Sequence, residues 1–152
     1  ESLPDDSLIR FCENAAANTV LLYFAQQAKD NGIDYIVKAN IPNDAFVSET
    51  DISVLFGNLL ENALDACKEE KDDNKKIVVR ASFIGGSLCI AVDNSYTGSL
   101  KYTADGDLVS TKHKGPGLGT QSVKSIAKQY DGICRFEAKD QMFCASVMCN
   151  RK

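Results

Sequence analysis

The chain has 152 residues, of which 44% are hydrophobic and 25% charged, with no tryptophan and a single histidine, His113. A chain of this length suits one domain that buries roughly two-thirds of its unfolded surface, and its composition excludes a disordered or fibrous class. The net charge of −4 and pI near 5.0 argue against a nucleic-acid binder at whole-chain level, no apolar run reaches the roughly 20 residues that span a bilayer, and one histidine excludes a histidine metal cage.

Residues 6 to 31 read as a helix, with Leu8, Phe11, Cys12, Ala15, Ala16, Thr19, Leu22 and Tyr23 at helical spacing and Gly32 as a left-handed cap. Ile33 to Ile41 reads as a strand stopped by Pro42-Asn43-Asp44. Ser48, with Asp51 three residues on, resembles a capping box that opens a long helix to about Glu70. The charged run Lys68 to Lys76 reads as a solvated loop. Ile77 to Ile84 and Ser87 to Asp93 form strands joined at Gly85-Gly86, a hairpin signal because glycine accepts positive φ. From Asn94 to Gly117 the apolar pattern disappears, as in a functional lid. Val123, Ile126, Ala127 and Tyr130 then mark a third helix ending at Gly132, and Ile133 to Ala138 with Met142 to Cys149 close as a second hairpin. Three helices and about five mostly consecutive strands predict an α+β domain with the helices on one face of one sheet. The cysteines at 12, 67, 89, 134, 144 and 149 include no pair with two residues between them, so they read as reduced core residues rather than a zinc or redox motif.

On the second helix Leu55, Phe56, Leu59, Ala63, Ala66 and Cys67 fill one arc, and Asn58, Glu61, Asn62 and Asp65 gather opposite them. A solvated face ordinarily mixes lysine with glutamate, and asparagine is a poor mid-helix residue. The stripe reads two ways: as the wet side of an amphipathic helix, or as oxygen donors for a hard cation such as Mg²⁺. A second signal is the glycine series 115, 117 and 119 in Lys112-His113-Lys114-Gly115-Pro116-Gly117-Leu118-Gly119-Thr120, which runs straight into the third helix. Backbone approach and free helix N–H groups suit phosphate, although a flexible linker has the same composition. No Gly-Lys-Ser/Thr follows, so it is not a Walker loop. Charge favours the anion reading. Lys101 to Lys128 holds five lysines against two aspartates, a net +3, whereas the rest of the chain carries −7.

In this combination the chain resembles the GHKL ATPase superfamily over essentially its whole length. Asn58-Leu59-Leu60-Glu61-Asn62-Ala63-Leu64-Asp65-Ala66 resembles the N box, Ala91-Val92-Asp93-Asn94-Ser95 the first glycine box, and Gly115-Pro116-Gly117-Leu118-Gly119 the second. Within it, Gly57 to Ala63, Ser110-Thr111-Lys112 and the Lys29 to Pro42 segment are similar to sensor histidine kinases of the Agr type, receptors for quorum-sensing peptides. The resemblance implies a Bergerat fold: a two-layer α/β sandwich of a mixed, mostly antiparallel sheet, three main helices on one face, and an ATP lid at about 95–117, all in one domain spanning 1–152. It implies an ATP site of Asn58, Asn62, Asp65, Asp93, Asn94, Thr111, Lys112, Gly115, Gly117, Leu118, Gly119 and Thr120. Asn62 would ligate Mg²⁺, Asn58 would contact phosphate or metal-bound water, and Asp93 would accept from the adenine amine. The first glycine box is degenerate, with Ser95 and Thr97 after Asp93, as in Agr-type kinases, so the adenine contact falls to Asp93 or, in its place, to Asn94. The Gly-Thr pair of many relatives is also missing around Gln141-Met142-Phe143.

Relatives that hydrolyse ATP carry a glutamate four residues before the metal asparagine, where this chain has Asn58. Amides do not accept protons at neutral pH, which leaves Glu61 and Lys112 as the residues open to a catalytic role. The implied activity is transfer of the γ-phosphate of Mg-ATP to a histidine on a dimerisation helix outside the fragment. His113, between two lysines in the lid, is not that acceptor. The implied setting is the cytoplasmic part of a membrane-bound receptor, homodimeric in full length, with a response regulator downstream and no nucleic-acid partner. A serine kinase of the anti-sigma type, a nucleotide-sensing module without transfer activity and an unrelated α+β binding domain are the competing readings.

Overall fold

The computed structural model describes residues 10–70, 73–96 and 118–151. Along the chain run α1 (Ala15–Asp30), β1 (Asp34–Asn40), α2 (Glu49–Glu69), β2 (Lys76–Ile84), β3 (Ser87–Ser95), α3 (Leu118–Gln129), β4 (Ile133–Lys139) and β5 (Met142–Asn150). The strands form one sheet in the order β1-β2-β3-β5-β4. β1 and β2 are parallel, as their connection through α2 requires, and the other neighbours are antiparallel. The expected mixed, mostly antiparallel α+β architecture is the one observed.

The two glycine signals act as expected. Gly32 has φ +66° after α1, and Gly85 and Gly86 have φ +62° and +80° between β2 and β3, the pair of positive angles that a two-residue hairpin turn needs. On the central strands burial alternates strictly. Leu88, Ile90 and Val92 of β3 and Phe143, Ala145, Val147 and Cys149 of β5 are buried, and the residues between them are half-buried on the opposite face. α2 sits between α1 and α3 over the sheet, so its apolar arc is wider than expected: Ile52, Leu60 and Leu64 join Leu55, Phe56, Leu59, Ala63 and Cys67, while Ala66 is only half-buried.

The first helix differs from its expectation in start and phase. Within the described residues it begins at Ala15, because Asn14 is the N-cap and its Oδ1 accepts from Ala17 N–H at 3.1 Å. The Asn14 Nδ2 donates to Pro42 O at 3.0 Å, and its backbone N–H donates to Ile41 O at 3.0 Å. Phe11 N–H donates to Asn18 Oδ1 at 2.7 Å, holding the entering chain outside the helix. The buried stripe is Ala17, Leu21, Phe24 and Ala28, and Ala15, Thr19 and Tyr23 are exposed. No residue from Ala15 to Ala28 is charged, so polarity does not mark the outer side. Asn14→Ala is expected to destabilise the fold by about 2 kcal/mol, the loss of a cap plus the bond to the half-buried Pro42 carbonyl, read as a lower urea midpoint with an unchanged slope.

At the start of α2, Ser48 Oγ accepts from Asp51 N–H at 3.1 Å, half of the expected capping box. The other half is redirected: the Asp51 carboxylate accepts from Tyr130 Oη at 2.6 Å, tying the start of α2 to the end of α3. Tyr130 itself lies past the last turn of α3.

All six cysteines are free thiols. Burial pushes Cys149 up to about 11, with Asp51 and Cys89 adding to the rise. A pKa raised on folding contributes stability that is present below the ordinary thiol value and is lost as pH climbs through the folded one. Cys149 is therefore expected to resist iodoacetamide at pH 8, and its contribution to be lost from about pH 9 to 11, readable as a falling melting temperature that Cys149→Ala flattens.

Candidate functional site

The two sequence signals meet. The polar stripe of α2 faces away from the buried arc, with Glu61 and Asn62 exposed and Asn58 and Asp65 half-buried. α3 starts alongside it. A Cβ built on Gly119 lies 3.0 Å from Asn58 Oδ1, 3.3 Å from its Cγ and 3.4 Å from its Cβ. Glycine at 119 thus lets the first turn of α3 approach the Asn58 amide closely, and the next residue, Thr120, is 2% exposed. The first turn of α3 holds no acidic side chain of its own, so the positive dipole end of the helix lies beside the amide stripe.

The oxygen set of the stripe suits a hard cation that shares its shell with water and a ligand. Among the described residues, no group of three or more His, Cys, Asp or Glu could hold a metal ion by itself. Asn62 is an exposed amide able to offer one oxygen to such a cation. The stripe does not fit a closed protein cage.

The first glycine-box segment separates its two candidate contacts. Side chains alternate along a strand, and Asn94 is in phase with Ile90 and Val92, 2% exposed and facing the helices. Asp93 points to the other face of the sheet, where it forms an ion pair with Arg80. Asp93 and Asn94, the two residues expected near adenine, thus lie on opposite faces of the sheet, and Asn94 shares the face on which α2 and α3 pack. The signal that separates the two was present in the sequence as the phase of Leu88, Ile90 and Val92.

Ser95 is the last residue of β3 and Tyr96 packs against the core, so the expected lid from about 95 contains two residues that belong to the sandwich. Thr111, Lys112, His113, Gly115 and Gly117 lie outside the described residues, and Leu118 is placed only as the first residue of α3. Glu61 is one position from Asn62 on α2 and exposed, turned about 100° from it.

Sequence reasoning missed Glu70. Read as part of a solvated loop, it is 7% exposed and accepts from Ser95 Oγ at 2.8 Å through Oε2. Nothing local marks it, since Lys68-Glu69-Glu70-Lys71 has the composition of a surface turn.

The model of a family described as the GHKL domain matches residues 47–150. A curated relative, the probable C4-dicarboxylate sensor kinase of Bacillus subtilis (strain 168), is 26% identical over 138 residues, covering 86% of this chain and 26% of its own. The chain thus spans about a quarter of the length of that relative. Among solved structures, a nucleotide-free catalytic domain of the histidine kinase ThkA superposes with a TM-score of 0.69 at 18% identity, covering 90% of each chain. The mycobacterial sensor histidine kinase MprB gives 0.61 at 15% identity, over 88% of this chain and 95% of that one. ThkA is also solved in complex with the response regulator protein TrrA, where the score is 0.64 at 18% identity over 91% of this chain and 41% of that one. The shared fold is that of histidine kinase catalytic domains.

Proposed function

The chain belongs to the GHKL domain family, and from that premise we propose that it is the ATP-binding catalytic domain of a two-component sensor histidine kinase. The observation that carries the reading is the approach of Gly119 to Asn58, which sets an amide-rich helix face beside the start of α3. On this reading Asn62 would hold Mg²⁺, Asn58 would contact phosphate or metal-bound water, Asp65 belongs to the same ATP site, and the glycine loop with Thr120 would wrap the phosphates. Thr111 and Lys112 add donors from the lid, and Asn94 meets the base. Bound Mg²⁺ supplies charge neutralisation for the β- and γ-phosphates.

The chemical step is in-line displacement. A histidine nitrogen on a dimerisation helix outside the fragment attacks the γ-phosphorus, an N–P bond forms, the bridging P–O bond breaks, and ADP leaves with the electron pair. Asn58 stands where hydrolysing relatives carry a base, so water is not activated and the γ-phosphate is kept for the acceptor. The stretch Gly57 to Ala63 and Ser110-Thr111-Lys112 supports an Agr-type receptor, placing this domain on the cytoplasmic side of a membrane-bound homodimer that signals to a response regulator. Among the described residues no helix is long and apolar enough to cross a membrane, so an anchor on this reading lies in another part of the protein.

Mixing the domain with its dimerisation segment and γ-labelled ATP tests the reading. Acid-labile label on a histidine is the expected product. Acid-stable label on a serine points to the anti-sigma type, and no transfer despite ATP binding points to a sensing module. Either result overturns the histidine kinase assignment.

A further inference from the structure

Glu70 closes α2, and its backbone N–H donates to Cys67 O at 3.2 Å. A carboxylate this deeply buried must be met by donors. The described donor is Ser95, whose hydroxyl gives its one proton to Oε2 at 2.8 Å. The direction of that bond is set, because a carboxylate only accepts, and the Ser95 Oγ in turn accepts from Lys76 N–H at 3.0 Å. Cys67 Sγ lies 3.9 Å away on the same oxygen. The end of β3 is thereby fastened to both the end of α2 and the start of β2.

The fastening reaches Asn94 through the Ser95 backbone: the Asn94 Nδ2 donates to the main-chain carbonyl O of Ser95 at 2.9 Å, so holding the Ser95 side chain holds the carbonyl that the amide meets. A primary amide has one donating and one accepting end, so committing Nδ2 to Ser95 turns Oδ1 the other way. An acceptor in that place matches the exocyclic amine of adenine and opposes the O6 carbonyl of guanine. We infer that Glu70 and Ser95 are positioning residues that hold the Asn94 amide in one orientation and so set selectivity for an aminopurine over an oxopurine nucleotide. The inference rests on the nucleotide reading given above. It assigns base selectivity to a carboxylate at the end of the same helix whose middle turns carry Asn58 and Asn62, so one element positions both ends of the ligand.

Calorimetric titration of the wild-type domain, Ser95→Ala, Glu70→Ala and Glu70→Gln with Mg-ATP, Mg-GTP and Mg-triphosphate tests it. Wild type is expected to prefer ATP, and both alanine variants to lose about tenfold of that preference, the scale of the one hydrogen bond to the base that is lost when the Ser95 carbonyl shifts and the Asn94 amide is free to turn. Their triphosphate affinity stays at the wild-type value. Glu70→Gln keeps the preference, because an amide oxygen still accepts from Ser95. A Ser95→Ala variant with the wild-type ATP-to-GTP ratio overturns the inference alone. So does an equal loss of all three ligands, which marks a structural role only. A wild type that binds none of them overturns the nucleotide reading, and this inference with it.

Discussion

Asn62→Ala is expected to lower the Mg-dependent affinity for ATP by about 100-fold, close to 3 kcal/mol, the scale on which metal sites respond to loss of a ligand or its support. The residue is well placed for a clean result. It is exposed on α2 and contributes nothing to the buried arc, and alanine is the better helix former by roughly 0.5 kcal/mol. The variant should therefore melt at or slightly above the wild-type temperature while its binding isotherm collapses. The Mg²⁺ arm sharpens the assignment: without the cation, wild type and variant should bind ATP equally weakly, because only the liganding oxygen has been removed. Equal affinities in the presence of Mg²⁺ would be evidence against Asn62 as the metal ligand, and a loss of equal size in its absence would point to direct contact with the nucleotide instead.

The second large effect is on stability. Gly132→Ala is expected to cost about 3–5 kcal/mol, a large part of the 5–15 kcal/mol typical of a domain. A Cβ at this position would lie 1.7 Å from Met148 O, 2.7 Å from Met148 C and 3.1 Å from Cys149 Cα. All three are backbone atoms of the paired strand β5, so no side-chain rotation relieves the clash. Nor can the chain at 132 swing away easily. Gly132 N–H donates to Ala127 O at 2.7 Å, Asn150 N–H to Tyr130 O at 2.9 Å, and Asn150 Nδ2 to Asp131 O at 2.7 Å. The expected readout is a melting temperature lower by about 10–15 °C. Gly57→Ala is the control, since a Cβ there meets nothing within 4 Å and the residue is inside α2. It should stabilise by roughly 0.5–1 kcal/mol. A Gly132→Ala variant as stable as wild type would show that β5 moves more freely than its pairing to β3 and β4 implies.

Most elements were legible because the signals that specify them are local. Ser48 caps α2, Gly85-Gly86 turns the hairpin, and apolar alternation fixes the buried side of β3 and β5. α1 was harder. Its uncharged run presents apolar and small residues on every side, so periodicity alone allowed the wrong stripe and carried the helix back past Asn14. What stops it there is a bond from Asn14 to Pro42, 28 residues away. Asp93 and Asn94 are neighbours in the motif, and strand phase separates them: Asp93 pairs with Arg80 on one face and Asn94 turns to the helices on the other.

The sequence by itself determined the element order, the amide stripe at 58 to 65, and the glycine series that leads into α3, since helical and strand periods and turn chemistry depend only on neighbouring residues. Only the tertiary structure decided which chain segments come within a few ångströms of each other. The Asn58–Gly119 approach, the burial of Glu70 beneath Ser95 and the contact of Gly132 with the Met148 backbone are of this kind. Each joins residues 16 to 61 positions apart. Glycine and glutamate look alike in sequence whether they face solvent or another backbone, and packing of the helix layer on the sheet makes the difference.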